Sequence, residues 1–170
     1  MTKRIRPVVI ALIGAAVAFG CDRSPTATAP NAIAPALLGN LAKTGGLLPC
    51  KPLGYDSVSR TIGPAGGVLK ISKHNLVVPA GALTTVVRIT AVAPSDTVNR
   101  VELRPEGLTF SQPARLTMYY GNCELISQSK QIAYTNDSLA ILQYVPTIDS
   151  QTAKLVTGQL SHFSNYAIAW

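Results

Sequence analysis

From about residue 50 onward, apolar and polar positions alternate in short runs separated by Gly, Pro, Asn and Asp. Residues 68–71 and 76–78 form two such runs around an expected turn at Lys73-His74-Asn75. A longer run covers 86–92, and 98–103 and 115–120 alternate apolar with polar. Runs at 131–135, 139–145, 154–157 and 165–170 follow, with Asn136-Asp137 reading as a hairpin turn. A period of two over a few residues marks a half-buried strand. Eight or more short strands at such spacing predict an all-β fold, an antiparallel β-sandwich over residues 50–170.

The amino-terminal part has a different texture. Lys3, Arg4 and Arg6 make a short cationic start, and residues 7–19 form an apolar run too short for a membrane-spanning helix. That order is expected of a signal peptide over residues 1–20. The run ends in Ala18-Phe19-Gly20-Cys21, which resembles the lipobox of bacterial lipoproteins, with Ala18 where that motif usually has Leu. The resemblance implies that Cys21 receives diacylglycerol and becomes the first residue of the mature chain. An ordinary secretory signal with an incidental cysteine is the alternative. Two or three acyl chains hold firmly to a membrane, whereas one binds only marginally.

Residues 22 to about 48 are rich in Pro, Ala, Thr and Gly and lack sustained periodicity. Such a stretch buries too little apolar surface to offset its ordering entropy. With Cys21 it is expected to form a disordered tether over residues 21–49, extended where polyproline-like, with at most a transient helix over 32–42.

Composition agrees: 47% hydrophobic, 14% charged, 13 Gly and 12 Pro suit short strands and many turns better than long helices. The formal charge of +7 invites a nucleic-acid reading, but loss of the leader removes three cations and leaves +4. The remaining Lys and Arg are scattered singly, and a phosphate-binding surface needs them clustered. No nucleic-acid partner is expected.

Three ordered motifs carry a resemblance. They are Gly66-Gly67-Val68-Leu69, then Leu76-Val77-Val78-Pro79-Ala80-Gly81-Ala82-Leu83, then Pro105-Glu106-Gly107-Leu108-Thr109-Phe110 with Gln112-Pro113-Ala114. Together they resemble the ZU-type domain of zonula occludens proteins, netrin receptors and ankyrins, over about 59–120. The resemblance implies a β-sandwich acting as a docking or structural module. Independently of it, Gly66 and Gly81 are expected where a Cβ would be opposed, and Leu108 and Phe110 in the core.

Three cysteines occur. With Cys21 lipidated, Cys50 and Cys123 remain, and an exported chain meets conditions in which disulfides persist. A Cys50–Cys123 bridge is expected. Two buried thiols or half of a metal site are the alternatives, and no His or Cys neighbours either at zinc-ligand spacing.

Only Ser161-His162-Phe163-Ser164 suggests chemistry. In some relatives of the ZU-type domain a His-Phe-Ser tripeptide cleaves itself. The resemblance implies attack by Ser164 on the Phe163 carbonyl, with His162 accepting the hydroxyl proton. Plain strand packing is the other reading, with Phe163 and Tyr166 as core aromatics. No phosphate loop or Gly-x-Ser-x-Gly elbow is present. His74 is expected at the surface, and Glu102, Glu106 and Glu124 have no expected common site. The sequence thus predicts a lipid-anchored, non-enzymatic module of the cell envelope on the periplasmic or outer side. It carries no cofactor and no metal, and its partner is a protein or envelope polymer. Self-processing between Phe163 and Ser164 is the alternative.

Overall fold

The computed structural model describes residues 46–170; the leader, Cys21 and the tether through residue 45 lie outside the described residues. Two-residue periodicity sets the architecture. In β3 (His74–Val78) residues 74, 76 and 78 are buried and 75 and 77 are half-buried. In β5 (Arg100–Arg104) only Val101 and Leu103 are buried. Strands with one dry face must pack that face against another sheet.

They do so in two antiparallel sheets, and no helix occurs among the described residues. The first sheet has the order β1 (Asp56–Ile62), β4 (Val87–Ala93), β5, β11 (Asn165–Ala169), β7 (Gln131–Thr135), β8 (Ile141–Tyr144). The second runs β2 (Gly67–Ile71), β3, β6 (Thr109–Tyr119), β10 (Leu155–His162), β9 (Thr147–Ser150). Leu69, Ile71, Leu76, Leu116 and Leu160 of the second sheet join Ile89, Val101, Leu103, Ile132 and Ile168 of the first in one core. The expected all-β sandwich is what the chain forms.

Several boundaries differ from the sequence reading, each for a local reason. The turn between β2 and β3 is Ser72-Lys73, one residue early. Ser72 takes a φ of 52° and its N–H donates to Asp56 Oδ2 at 2.6 Å. The earlier turn places His74 on the inward face, because a strand alternates faces residue by residue. His74 is therefore 3% exposed rather than a surface residue. β1 went unpredicted because it buries only Ile62, yet it pairs residue for residue with β4 from Asp56↔Ala93 to Ile62↔Val87. The short β9 also went unpredicted. β6 starts at Thr109 and carries Pro113 past a register shift against β10, and such irregularities are where a strand accepts proline.

The domain also begins before Cys50. Leu48 is fully buried and its N–H donates to Ile168 O at 2.9 Å, while the Trp170 N–H reaches Gly46 O at 3.1 Å. Residues 46–49 thus belong to the sandwich rather than to a tether ending at 49. Other expectations hold. Gly66 has a φ of +74°, and a Cβ there would meet Val78 O at 2.5 Å. The Asn136-Asp137 turn joins β7 and β8, with Asn136 Oδ1 accepting from the Ala140 N–H at 2.9 Å. Leu108 and Phe110, expected in the core, instead lie at its margin, half-buried against it.

His74 generates a pH prediction. Burial lowers its pKa to about 4, and its Nδ1 accepts the Tyr119 N–H at 3.2 Å. The unfolded chain takes up the proton near pH 6.5, well before the folded chain does. Stability contributed by neutral His74 is therefore present above about pH 6.5 and is lost as pH falls toward 4, by up to roughly 3 kcal/mol. Urea midpoints at pH 7 and pH 4.5 should differ more in the wild type than in His74→Gln; equal differences would refute the assignment.

Candidate functional site

Chain topology brings His162, Phe163 and Ser164 to a corner. β10 belongs to one sheet and β11 to the other, and the chain crosses between them through Phe163 and Ser164. Two residues can bridge stacked sheets only if their own polar backbone groups find partners. Here the turn at 105–108 supplies them. The Phe163 N–H donates to Leu108 O at 2.8 Å, and Phe163 O accepts from the Gly107 N–H at 2.9 Å. Ser164 O accepts from the Leu103 N–H at 3.0 Å. A φ of +74° at Gly107 accompanies that approach.

The side chains follow from this backbone. Phe163 is fully buried and meets Phe110 edge-on, with centroids 5.0 Å apart and planes at 77°. His162 Nδ1 lies 3.3 Å from Phe163 O. The Ser164 hydroxyl, in a residue only 2% exposed, donates to Glu106 Oε1 at 3.4 Å. Tyr166 Oη donates to His162 O at 2.6 Å, and the Tyr134 ring stands edge-on to the imidazole at 5.1 Å.

Both residues named from the sequence therefore sit at one peptide bond, but in different roles from those expected. His162 faces the carbonyl oxygen, beside the Gly107 N–H, and Glu106 faces the hydroxyl. The Gly107 N–H, joined by His162 Nδ1 in the tautomer that carries a proton there, is the type of donor that stabilises an oxyanion. A carboxylate on a serine hydroxyl is a candidate base. Glu106 was missed because it stands 58 residues from Ser164, and only the backbone ladder brings them together.

The second predicted feature is present as a bond. Cys50 and Cys123 are disulfide-linked across a sequence separation of 73. Backbone bonds flank the bridge: Cys50 N–H to Thr97 O at 2.7 Å, Lys51 N–H to Asn122 O at 2.9 Å and Glu124 N–H to Pro49 O at 2.9 Å. Among the described residues no cluster of three His, Cys, Asp or Glu is placed to hold a metal ion.

The three glutamates have separate partners: Glu102 pairs with Arg100 at 2.5 Å, Glu106 with Ser164, and the Glu124 backbone with Pro49. Sequence reading also missed Lys130, one of the scattered cations, which is 4% exposed. Its Nζ donates to Ile126 O at 2.9 Å and to Gln128 O, and its backbone N–H donates to Asp149 Oδ2 at 2.8 Å. Burial lowers the Lys130 pKa, with the Asp149 charge opposing that shift. A buried cation whose donors are taken by carbonyls clamps the loop after Cys123.

The sequence matches no protein-family model, and no curated protein matches it.

The bridge is expected to stabilise chiefly through the unfolded chain, by about 4 kcal/mol for a loop this long in the chain-entropy model. Urea unfolding of oxidised protein against a Cys50→Ala/Cys123→Ala variant should show a lower midpoint for the variant. Equal midpoints would show that the flanking backbone bonds alone hold residues 46–51.

Proposed function

We propose that the chain is an exported lipoprotein, held to a bacterial membrane through diacylglycerol on Cys21, with a ZU-like β-sandwich as a non-enzymatic interaction or structural module of the envelope. One observation carries the reading: a cationic start at Lys3, Arg4 and Arg6, an apolar run over 7–19, and Ala18-Phe19-Gly20-Cys21, in that order. The folded part supports it. A disulfide suits a compartment outside the reducing cytosol. Residues 46–50, which lead in from the anchor side, are fastened by buried Leu48 and by the bridge, so a pull on the lipid meets a fixed point. The partner class in this reading is a protein or an envelope polymer, on the periplasmic or outer side.

A second reading, self-processing between Phe163 and Ser164, is favoured by Glu106 at the Ser164 hydroxyl and by Gly107 and His162 at the Phe163 carbonyl. In it, Ser164 Oγ attacks the Phe163 carbonyl carbon and its proton passes to Glu106. The Phe163–Ser164 C–N bond breaks, the freed Ser164 amine takes up that proton, and water opens the resulting ester.

Intact mass of protein purified from its own membranes tests the anchor. Acyl mass on Cys21 is expected, and Cys21→Ser should yield soluble or signal-retaining product. Wild-type protein without acyl mass would end the lipoprotein reading.

The same spectrum separates the two readings of the corner. Packing alone leaves a chain ending at Trp170, and Phe163→Ala then destabilises by roughly 3–5 kcal/mol. Self-processing instead removes residues 164–170, at a rate independent of protein concentration. That loss should vanish in Ser164→Ala and slow in Glu106→Gln and His162→Ala.

A further inference from the structure

We propose that the outward face of the five-stranded sheet binds an extended acidic polysaccharide, with Arg115 and Lys70 meeting successive carboxylates along the chain. The inference rests on the reading of this domain as an envelope interaction module and names its partner.

The face is built from two rows that the strand register defines. One crosses all five strands as Lys70, Asn75, Thr117, Thr157 and Ile148. The next runs Val68, Val77, Arg115 and Gln159. Inward neighbours of these residues, such as Leu69, Leu76, Leu116 and Val156, fill the core, so the rows lie on the outward face, with Lys70, Val68, Arg115, Gln159 and Ile148 exposed and the other four half-buried.

Both sheets carry cations, Arg88 of the six-stranded sheet being exposed and without an ion pair among the described residues, but their carboxylates are placed differently. Carboxylates on the six-stranded sheet stand among cations: Arg100 pairs with Asp96 at 3.1 Å and with Glu102 at 2.5 Å, and Arg104 lies 3.9 Å from Glu102. The five strands of the second sheet contain a single acid, Asp149, whose carboxylate is engaged by Tyr120 Oη at 2.6 Å and the Lys130 N–H at 2.8 Å. Arg115 and Lys70 are exposed, and no ion pair forms with either among the described residues. Lys73 adds a third cation on this side, 4.7 Å from the Tyr119 ring centroid. An excess of unpaired positive charge on one face is complementary to an anion.

Spacing and chemistry narrow the anion. β2 and β6 are two strand spacings apart and the two residues are offset by two positions along the strands, so the Lys70 and Arg115 backbone positions stand about 12 Å apart, a span for a polymer with repeated charges. Between and beside them lie uncharged hydrogen-bonding groups, with Thr117 and Thr157 hydroxyls 2.9 Å apart. Beside Arg115 a groove of about 430 Å³ is lined by Pro146, Thr147, Ile148, Thr157 and Gln159. Guanidinium for a carboxylate, amide and hydroxyls for hydroxyls, and Pro146 with Ile148 for a ring face fit one sugar-acid unit. An acidic peptide would instead seek backbone bonds along a sheet edge, which a face does not offer. A lipid surface needs a denser cluster, about four to eight Lys or Arg.

The test is binding of polygalacturonate to the full chain in non-ionic detergent, measured by titration calorimetry. Binding that weakens with salt is expected. Arg115→Gln and Lys70→Gln should each weaken it about tenfold or more, the loss of a charge-assisted contact. Thr157→Val should weaken it as well, whereas Arg88→Gln on the other sheet should leave it unchanged. Absent binding, equal affinity in Arg115→Gln, or equal affinity for polyglutamate, for neutral dextran or for vesicles of anionic phospholipid would each overturn the inference. A chain with acyl mass on Cys21 that fails to bind would overturn it while leaving the anchored module standing.

Discussion

The crossing at Phe163 and Ser164 constrains much of what surrounds it. β10 lies between β6 and β9 in one sheet, and β11 lies between β5 and β7 in the other. Joining two interior strands through two residues forces the connecting backbone into the space between the sheets, where unpaired polar groups would be expensive. The turn at 105–108 answers that need by giving Phe163 both its partners, and Gly107 allows the close approach. Phe163 then fills the space the corner opens, against Phe110. The 100–110 segment and the carboxyl-terminal strand are therefore parts of one arrangement, although they are far apart in sequence.

The amino-terminal strap depends on the same strand. Leu48 reaches the Ile168 carbonyl of β11, and Pro49 and Cys50 carry the chain on to Val98 and Cys123. The end nearest the expected lipid anchor and the last strand thus lock together, and the disulfide fixes the lock to the far side of the 120s loop. Within that loop, the buried Lys130 donates to the Ile126 and Gln128 carbonyls. The outer edges are handled differently. Arg60 donates to Val68 O at 2.8 Å along β2, occupying a carbonyl of that edge strand, and β8 and β9 are only four residues each.

What the sequence made legible follows from how local each signal is. β5 alternates sharply, with Val101 and Leu103 between charged residues, so its existence could be read from hydropathy. β1 could not, because its ladder with β4 is made by the backbone while only Ile62 is buried and Val58 half-buried against the core. His74 was misplaced by a one-residue slip, since the Asp56 side chain that fixes the Ser72 turn lies 16 residues away. The cysteine pairing was legible from export logic and a count of three, without any geometry. At the corner, His162 and Ser164 were legible as a tripeptide. Their orientation was not, because it is set by Gly107 and Glu106, which no spacing rule connects to them.

That orientation decides how much chemistry the corner can be credited with. The Gly107 N–H on the Phe163 carbonyl is what packing alone demands, because a buried amide must have an acceptor. His162 beside the same oxygen is likewise compatible with packing, since its ring is held from the other side by Tyr134 and its carbonyl by Tyr166. Glu106 is an exposed residue whose carboxylate accepts from the buried Ser164 hydroxyl at 3.4 Å, and packing demands an acceptor for that hydroxyl as well. The packing and processing readings therefore share every contact at the corner, this one included. Among the residues around Phe163, Glu106 is where the two readings assign different tasks to one contact, an acceptor for a buried hydroxyl in packing and a proton acceptor in processing.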